Sequence, residues 1–164
     1  MATTAQIVPG EFLPNLQFDL ETFATNGLLL AVAFLLALPV GWDRERAGRS
    51  AGLRTFPLVA VSSCAYVVRS IYAFGADTQA QARVVQGLIT GIGFVGGGAI
   101  VKSSDRVQGT ATAASIWTTG AIGATVAFGR LDIALLLSLT TFATLRWLHG
   151  LAGRAEPDER DDDV

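Results

Sequence analysis

The 164-residue sequence contains one cysteine and one histidine, and only 16% of its residues are charged. A single cysteine, Cys64, excludes an internal disulfide and any metal site built from several cysteines. With one histidine, His149, the chain offers no histidine–carboxylate metal cluster. It also lacks a nucleophile–base pair and a Walker motif. We therefore expect the protein not to be an enzyme.

Charge is absent from long stretches of the chain. The uncharged runs contain 21, 18 and 23 residues and are 22–42, 84–101 and 107–129. Two further runs, 55–75 and 131–148, are nearly as apolar, and the mean hydropathy is +0.45. About 20 apolar residues cross the hydrocarbon core of a bilayer as one helix. We predict an all-α, polytopic transmembrane bundle with about five spans, at roughly 24–42, 55–75, 84–101, 111–129 and 131–149.

The basic residues predict how this bundle is oriented. Nine of the twelve lysines and arginines fall in the 43–54 connection, the 102–110 connection and the C-terminal end. The opposite side holds Arg83 and Arg130. Arg69, near the outer end of its span, either extends to the surface or lines a polar cavity. Because basic residues concentrate on the cytoplasmic side, we expect the N-terminus outside and the C-terminus in the cytoplasm.

We divide the chain into three parts. Residues 1–22 form an extracytoplasmic N-terminal segment without a basic region typical of a cleavable signal peptide. Residues 23–150 form the transmembrane domain. Residues 151–164 are rich in acidic side chains and form a disordered tail, which either stays solvated or binds divalent cations without selectivity.

The stretch ITGIGFVGGGAI, residues 89–100, contains the spacing G-x-G-x-x-G of dinucleotide-binding loops. That motif requires a preceding strand and an acidic residue about 20 positions later. Here the run lies in an uncharged segment, and Ala111 to Ala113 occupy the later positions. We therefore expect neither a dinucleotide nor a nucleic acid as ligand.

Small residues four positions apart share one face of a helix and let two helices approach closely in a membrane. We predict that the third and fourth helices form a tight hairpin through such faces. The alternative is a broken helix near Gly96 to Gly98, whose free backbone groups line a site. The predicted packing residues are Gly87, Gly91, Gly93, Gly97, Ser115, Thr119 and Gly123.

Charges cluster where the first helix ends and the second begins. Asp43 and Arg54 lie nearest to the apolar spans, so we predict that they form a functional ion pair at the cytoplasmic face, beside Arg44. The alternative is a surface ion pair with a purely topological role. Arg46 and Arg49 fit orienting or lipid-headgroup contacts.

Two segments resemble the membrane domain of the bacterial MgtC/SapB family. They are GWDRERAGRSAGLRTFPLVA and VVQGLITGIGFVGGGAIVKSSDRVQGTATAASIWTTGAIG, and the resemblance covers residues 27–148. Asp43 stands where many members have glutamate, and Gln108 and Thr110 replace an arginine and a leucine of the family pattern. The family-motif residues are Gly41, Gly52, Thr55, Gly96, Gly98, Thr112 and Trp117.

The resemblance implies a multi-pass protein of the bacterial inner membrane that is linked to magnesium homeostasis. Larger relatives carry a soluble C-terminal domain, which we do not expect here. One hypothesis is a regulator that contacts a membrane-protein partner through its helices. The other is a carrier or channel for Mg²⁺ or another cation, in which Asp43 and Asp105 supply weak ligands. The lipid bilayer is the expected environment, and a homo-oligomer is compatible with both hypotheses.

Overall fold

The computed structural model describes residues 19–49, 51–102 and 107–148, which form five α-helices and a short β-hairpin. The helices are α1 (Leu20–Arg46), α2 (Thr55–Phe74), α3 (Thr78–Gly98), α4 (Thr110–Ala127) and α5 (Leu131–Ala143). A π-helical turn, Thr144–Leu148, follows α5. Strands β1 (Val101–Lys102) and β2 (Val107–Gln108) pair in antiparallel fashion between α3 and α4.

The five helices confirm those predicted from the apolar runs, with shifted ends. The carboxylate of Asp19 accepts a hydrogen bond from the Thr22 N–H at 2.8 Å, so α1 begins before the predicted residue 24. Asp77 caps α3 by accepting from the N–H groups of Gln79 and Ala80 at 3.1 and 3.0 Å. Polar residues therefore extend α3 before its apolar run.

Two of the described helices, α1 and α2, are long and apolar enough to cross a membrane. The predicted N-terminal segment overlaps the start of α1 at residues 20–22, and its residues 1–18 lie outside the described chain. His149 and the acidic tail 151–164 lie outside it as well. The short hairpin was not predicted for an all-α chain.

Helix α4 is central to the bundle. It contacts each of the other four helices, and its pairing with α2 is the most extensive in the structure. One part of the core is built from small buried residues, including Ala33 and Ala37 of α1 and Ala60 of α2. Small side chains let helix backbones approach closely. A second part, around Val40 and Phe56, fills the end near the α1–α2 connection.

Helix α3 is peripheral. Of its 21 residues, only Ile92 and Gly96 are buried. The turn from the hairpin into α4 is fixed by Gly109, which has φ of +91°. A side chain there would overlap the carbonyl group of Ala99 and would also strain the backbone. This close approach ties the end of α3 to the start of α4, although most residues of α3 are exposed.

Candidate functional site

The connection between α1 and α2 folds closely against the end of α1. A Cβ atom added to Gly41 would lie 3.3 Å from the carbonyl oxygen of Gly52 and 3.3 Å from the Cα of Leu53. Contacts that short require the neighbouring backbone to move. Gly41 and Gly52, which belong to two separate sequence motifs, are therefore neighbours in the fold.

Asp43 and Arg44 form a salt bridge in this corner although they are adjacent in sequence. Arg44 donates to Oδ2 of Asp43 from Nε at 3.1 Å and from Nη2 at 2.5 Å. Only 4% of the surface of Arg44 is exposed. The predicted pairing of Asp43 with Arg54 is therefore wrong, because Arg44 already holds the carboxylate. A buried guanidinium that loses its anion is strongly destabilising, so Asp43 stabilises this corner.

Glu45 organises the start of α2, and the sequence pattern does not single it out. Its Oε2 accepts a hydrogen bond from the Leu53 N–H at 3.0 Å. The carboxylate lies so close to Gly52 that a side chain on Gly52 would overlap it. In the sequence, Glu45 is recognisable only as an acidic residue within a basic run. Its partner Leu53 can be identified only when the path of the α1–α2 connection is known.

Two exposed arginines flank this corner. The guanidinium of Arg46 lies over the ring of Trp42, 4.1 Å from its centroid, in a cation–π contact. Arg54 is the N-cap residue of α2 and is exposed. The two salt bridges found within the described ranges do not include Arg54. Its positive charge therefore stands exposed at the start of α2, without a salt bridge to another described residue.

A groove of about 700 Å³ separates the facing sides of α2 and α3. We call it the α2–α3 groove. Arg54 and Thr55 lie at one end, and Tyr66 and Val84 lie at the other. Its walls between these ends are mostly apolar and include Leu58, Val59, Gly87, Leu88, Gly91 and Val95.

The glycines of α3 have surroundings that differ from those predicted. Among the described residues, no atom lies within 4 Å of a Cβ built on Gly87, Gly91, Gly93 or Gly97. Instead, a Cβ on Gly96 would lie 3.2 Å from the carbonyl oxygen of Ala113, and Gly120 of α4 accommodates Ile92. The predicted contact of both glycine pairs with helix 4 is therefore wrong. The first pair opens onto the α2–α3 groove, and the second lies on the exposed side of α3.

The small face of α4 contacts α2. A side chain on Gly123 would overlap the carbonyl group of Ala60. Thr119 and Ser115, one and two turns earlier on that face, are buried. Their hydroxyls donate to carbonyl oxygens of their own helix at 2.8 and 2.9 Å. Both hydroxyls therefore bond within α4 and contribute to the predicted packing face only by their small size.

The remaining motif residues lie at helix ends or within α4. α3 is continuous through Gly97 and ends at Gly98, and the alternative of a flexible or broken helix near these glycines stays a prediction. Thr112 is buried in the first turn of α4, and Trp117 is about half exposed. Thr55 is the first residue of α2. The functional roles of these residues stay predictions.

The predicted weak metal site is only partly within the described chain. Asp105 lies outside it. Asp43 is engaged by Arg44, as described above. Across residues 19–49, 51–102 and 107–148, no group of three or more histidine, cysteine, aspartate or glutamate side chains is placed to hold a metal ion.

Comparison with known proteins gives consistent matches. The model of the MgtC family matches residues 30–154. Protein SrpB of Synechococcus elongatus is 39% identical over 128 residues, which cover 71% of this chain and 70% of SrpB. YhiD of Escherichia coli, named as a proposed magnesium transporter, is 32% identical over 76% of this chain and 61% of its own length. Protein MgtC of Brucella abortus is 38% identical over 80% of this chain and 54% of its own. No solved structure gives a significant match.

Proposed function

The chain belongs to the MgtC family, and on that premise we propose that it is a membrane regulator in magnesium homeostasis. It acts in the bacterial inner membrane by contacting a partner through its helices. The link to magnesium is supported by the name of the relative YhiD. The matched regions span 70% of the length of SrpB, 61% of YhiD and 54% of the Brucella MgtC protein.

The proposed topology has five spans, with the N-terminus outside. Consecutive helices contact each other, so their connections alternate between the two ends of the bundle. The connections 47–54 and 99–109 then share one end, where Arg49, Arg54 and Lys102 supply the positive charge of a cytoplasmic face.

Labelling of single cysteines tests this orientation in a Cys64→Ala background. A membrane-impermeant maleimide should label Ala76→Cys, in the exposed connection between α2 and α3, from outside. It should not label Arg49→Cys until the membrane is opened. The reverse pattern would overturn the orientation.

The exposed side of α3 carries the proposed partner contact. Gly93 and Gly97 lie four residues apart, and no described residue of another element lies within 4 Å of a Cβ built on either. Phe94 beside them is 85% exposed. A helix of a partner can approach closely over the glycines and pack against the aromatic ring, which is how helices associate in lipid. This unpartnered surface is the observation that carries the proposal.

Photo-crosslinking in native membranes tests the partner contact. A photoreactive phenylalanine analogue at position 94 should give one discrete adduct with another membrane protein. Gly93→Leu should remove that adduct, and it should also remove growth support at low magnesium. Gly27→Leu is the matched control, because Gly27 is an exposed helical glycine with open space on α1. Equal adducts in all three proteins would overturn the proposal, and an adduct at twice the chain mass would replace the partner by a second copy.

A cation carrier is the second candidate, favoured by the name of YhiD. Mg²⁺ would be its substrate and typically meets one or two carboxylates with several retained waters. Flux of Mg²⁺ into sealed liposomes containing the folded, oriented protein would favour the carrier. Flux that is lost in Asp43→Asn, with the variant shown to be folded and equally abundant, would place the pathway at the cytoplasmic end of α1. Flux equal to that of empty liposomes would exclude this candidate.

A further inference from the structure

The α2–α3 groove is a cavity that the partner contact does not use. It lies on the side of α3 that carries Gly87 and Gly91, whereas Gly93 and Gly97 lie outside it. Its width depends on the two glycines, since a Cβ on either would project into space free of other described atoms. A methyl group at either position would therefore narrow the groove without meeting another described part of the fold.

The length of the groove matches one leaflet of a bilayer. It extends along α2 from Arg54 to Tyr66. Twelve residues at a rise of 1.5 Å correspond to about 18 Å. Half of a hydrocarbon core of about 30 Å is about 15 Å. Leu58, Leu88 and Val95 provide apolar walls over this distance.

Positive charge is confined to one end of the groove. Arg54 is the charged residue of its lining, and it stands at the N-terminus of α2. The helix dipole places further positive potential at that end. Both salt bridges in the described part of the chain join other residues. The combination of a cationic end and an apolar channel is complementary to an anionic headgroup followed by an acyl chain.

We propose that the α2–α3 groove binds an anionic phospholipid of the cytoplasmic leaflet. One acyl chain lies between α2 and α3 over Gly87 and Gly91, and the phosphate contacts the guanidinium of Arg54. The inference rests on the membrane placement proposed above, but it does not depend on a partner or on magnesium. The occupied groove would brace α3, which has only two buried residues of its own.

Native mass spectrometry of the purified full chain tests the headgroup contact, with added phosphatidylglycerol or phosphatidylcholine as probes. The wild type should prefer phosphatidylglycerol by about fivefold, the effect of one basic residue near an anionic surface. Arg54→Gln should remove this preference. Arg49→Gln, which changes an exposed arginine outside the groove lining, should keep it. Equal binding of both lipids by the wild type, or equal losses in the two variants, would overturn the proposal.

A second measurement tests the acyl-chain position. Tyr66→Trp places a new tryptophan at the end of the groove away from Arg54. Phosphatidylglycerol with brominated acyl chains should quench a larger fraction of the tryptophan fluorescence in this variant than in the wild-type protein. Adding Gly91→Leu should abolish the extra quenching, whereas Gly97→Leu should leave it unchanged, with thermal unfolding confirming that each variant is folded. Quenching unaffected by Gly91→Leu would overturn the proposal. A dimer that Gly91→Leu disrupts would assign the groove to a second copy instead.

These outcomes separate the two proposals. Gly93→Leu removes the partner adduct and leaves lipid binding intact if both proposals hold. Lost lipid selectivity with an intact adduct would reject only the groove assignment. An absent adduct with intact lipid selectivity would reject only the regulator.

Discussion

The carboxylate of Glu45 accepts a hydrogen bond from the backbone N–H of Leu53, across eight residues of sequence. This contact joins the end of α1 to the turn that precedes α2. Gly52 lies directly against the same carboxylate, so the Glu45 side chain occupies the position that a side chain on residue 52 would take.

Glu45→Ala should lower the free energy of unfolding by about 1 kcal/mol, the usual net contribution of one hydrogen bond. Gly52→Ala should displace the flexible Glu45 side chain and remove the same bond. The double variant should therefore be less destabilised than the sum of the two single variants. Thermal or chemical unfolding in detergent measures the stability of the wild type, the two single variants and the double variant. Strictly additive losses would contradict the interpretation that both substitutions remove the same hydrogen bond.

Asp43→Asn should reduce stability by about 3 kcal/mol, because it leaves the buried guanidinium of Arg44 without its anion. Asp43→Asn combined with Arg44→Met should recover part of this loss, since both charges are then removed. Asp132→Asn is the control, because its salt bridge with Arg130 is exposed and should contribute little. Unfolding midpoints and membrane abundance give the comparison, and a double variant as unstable as the single one would contradict it.

Gly123→Ala should destabilise the bundle by about 1–3 kcal/mol, because the added methyl group meets backbone of α2 at Ala60 and forces two helices apart. Gly97→Ala is the matched change on α3, where a Cβ has open space. It should leave stability unchanged or slightly raised, as alanine favours helix over glycine. Similar losses in both variants, measured by unfolding in detergent, would argue against the α2–α4 contact.

The pKa of Asp19 is lowered from its ordinary value of 3.8 by hydrogen bonds from the Thr22 side chain and from the Thr22 N–H. A carboxyl group whose pKa falls on folding stabilises the folded state above its ordinary pKa and loses that contribution as the pH drops through the lowered value. The Thr22 amide resonance should therefore titrate below pH 3.8. Asp19→Asn should abolish the titration while keeping a cap. A midpoint above 3.8 would contradict the cap.

The helices were predictable because apolar length is a local property of the sequence. The pairing of the helices was not predictable, because the spacing of small residues identifies a packing face but not the helix that packs against it. The face containing Gly123 was predicted correctly as a packing face, but it contacts α2. The partner of Asp43 was misjudged for a related reason: a long arginine side chain can fold back on its immediate neighbour. The hydrogen bond of Glu45 could not be predicted, because it depends on the path of the α1–α2 connection, which hydrophobic periodicity does not reveal.

The central position of α4 also bears on how the protein is made. During synthesis α1, α2 and α3 emerge first, while the helix that contacts all of them is still absent. Until α4 is synthesised, the surface of α2 around Ala60 lacks its contact with Gly123. A nascent chain stopped before α4 therefore keeps the contacts of α2 with α1 and α3 but lacks the helix that contacts all three, and the complete bundle forms only once α4 is present.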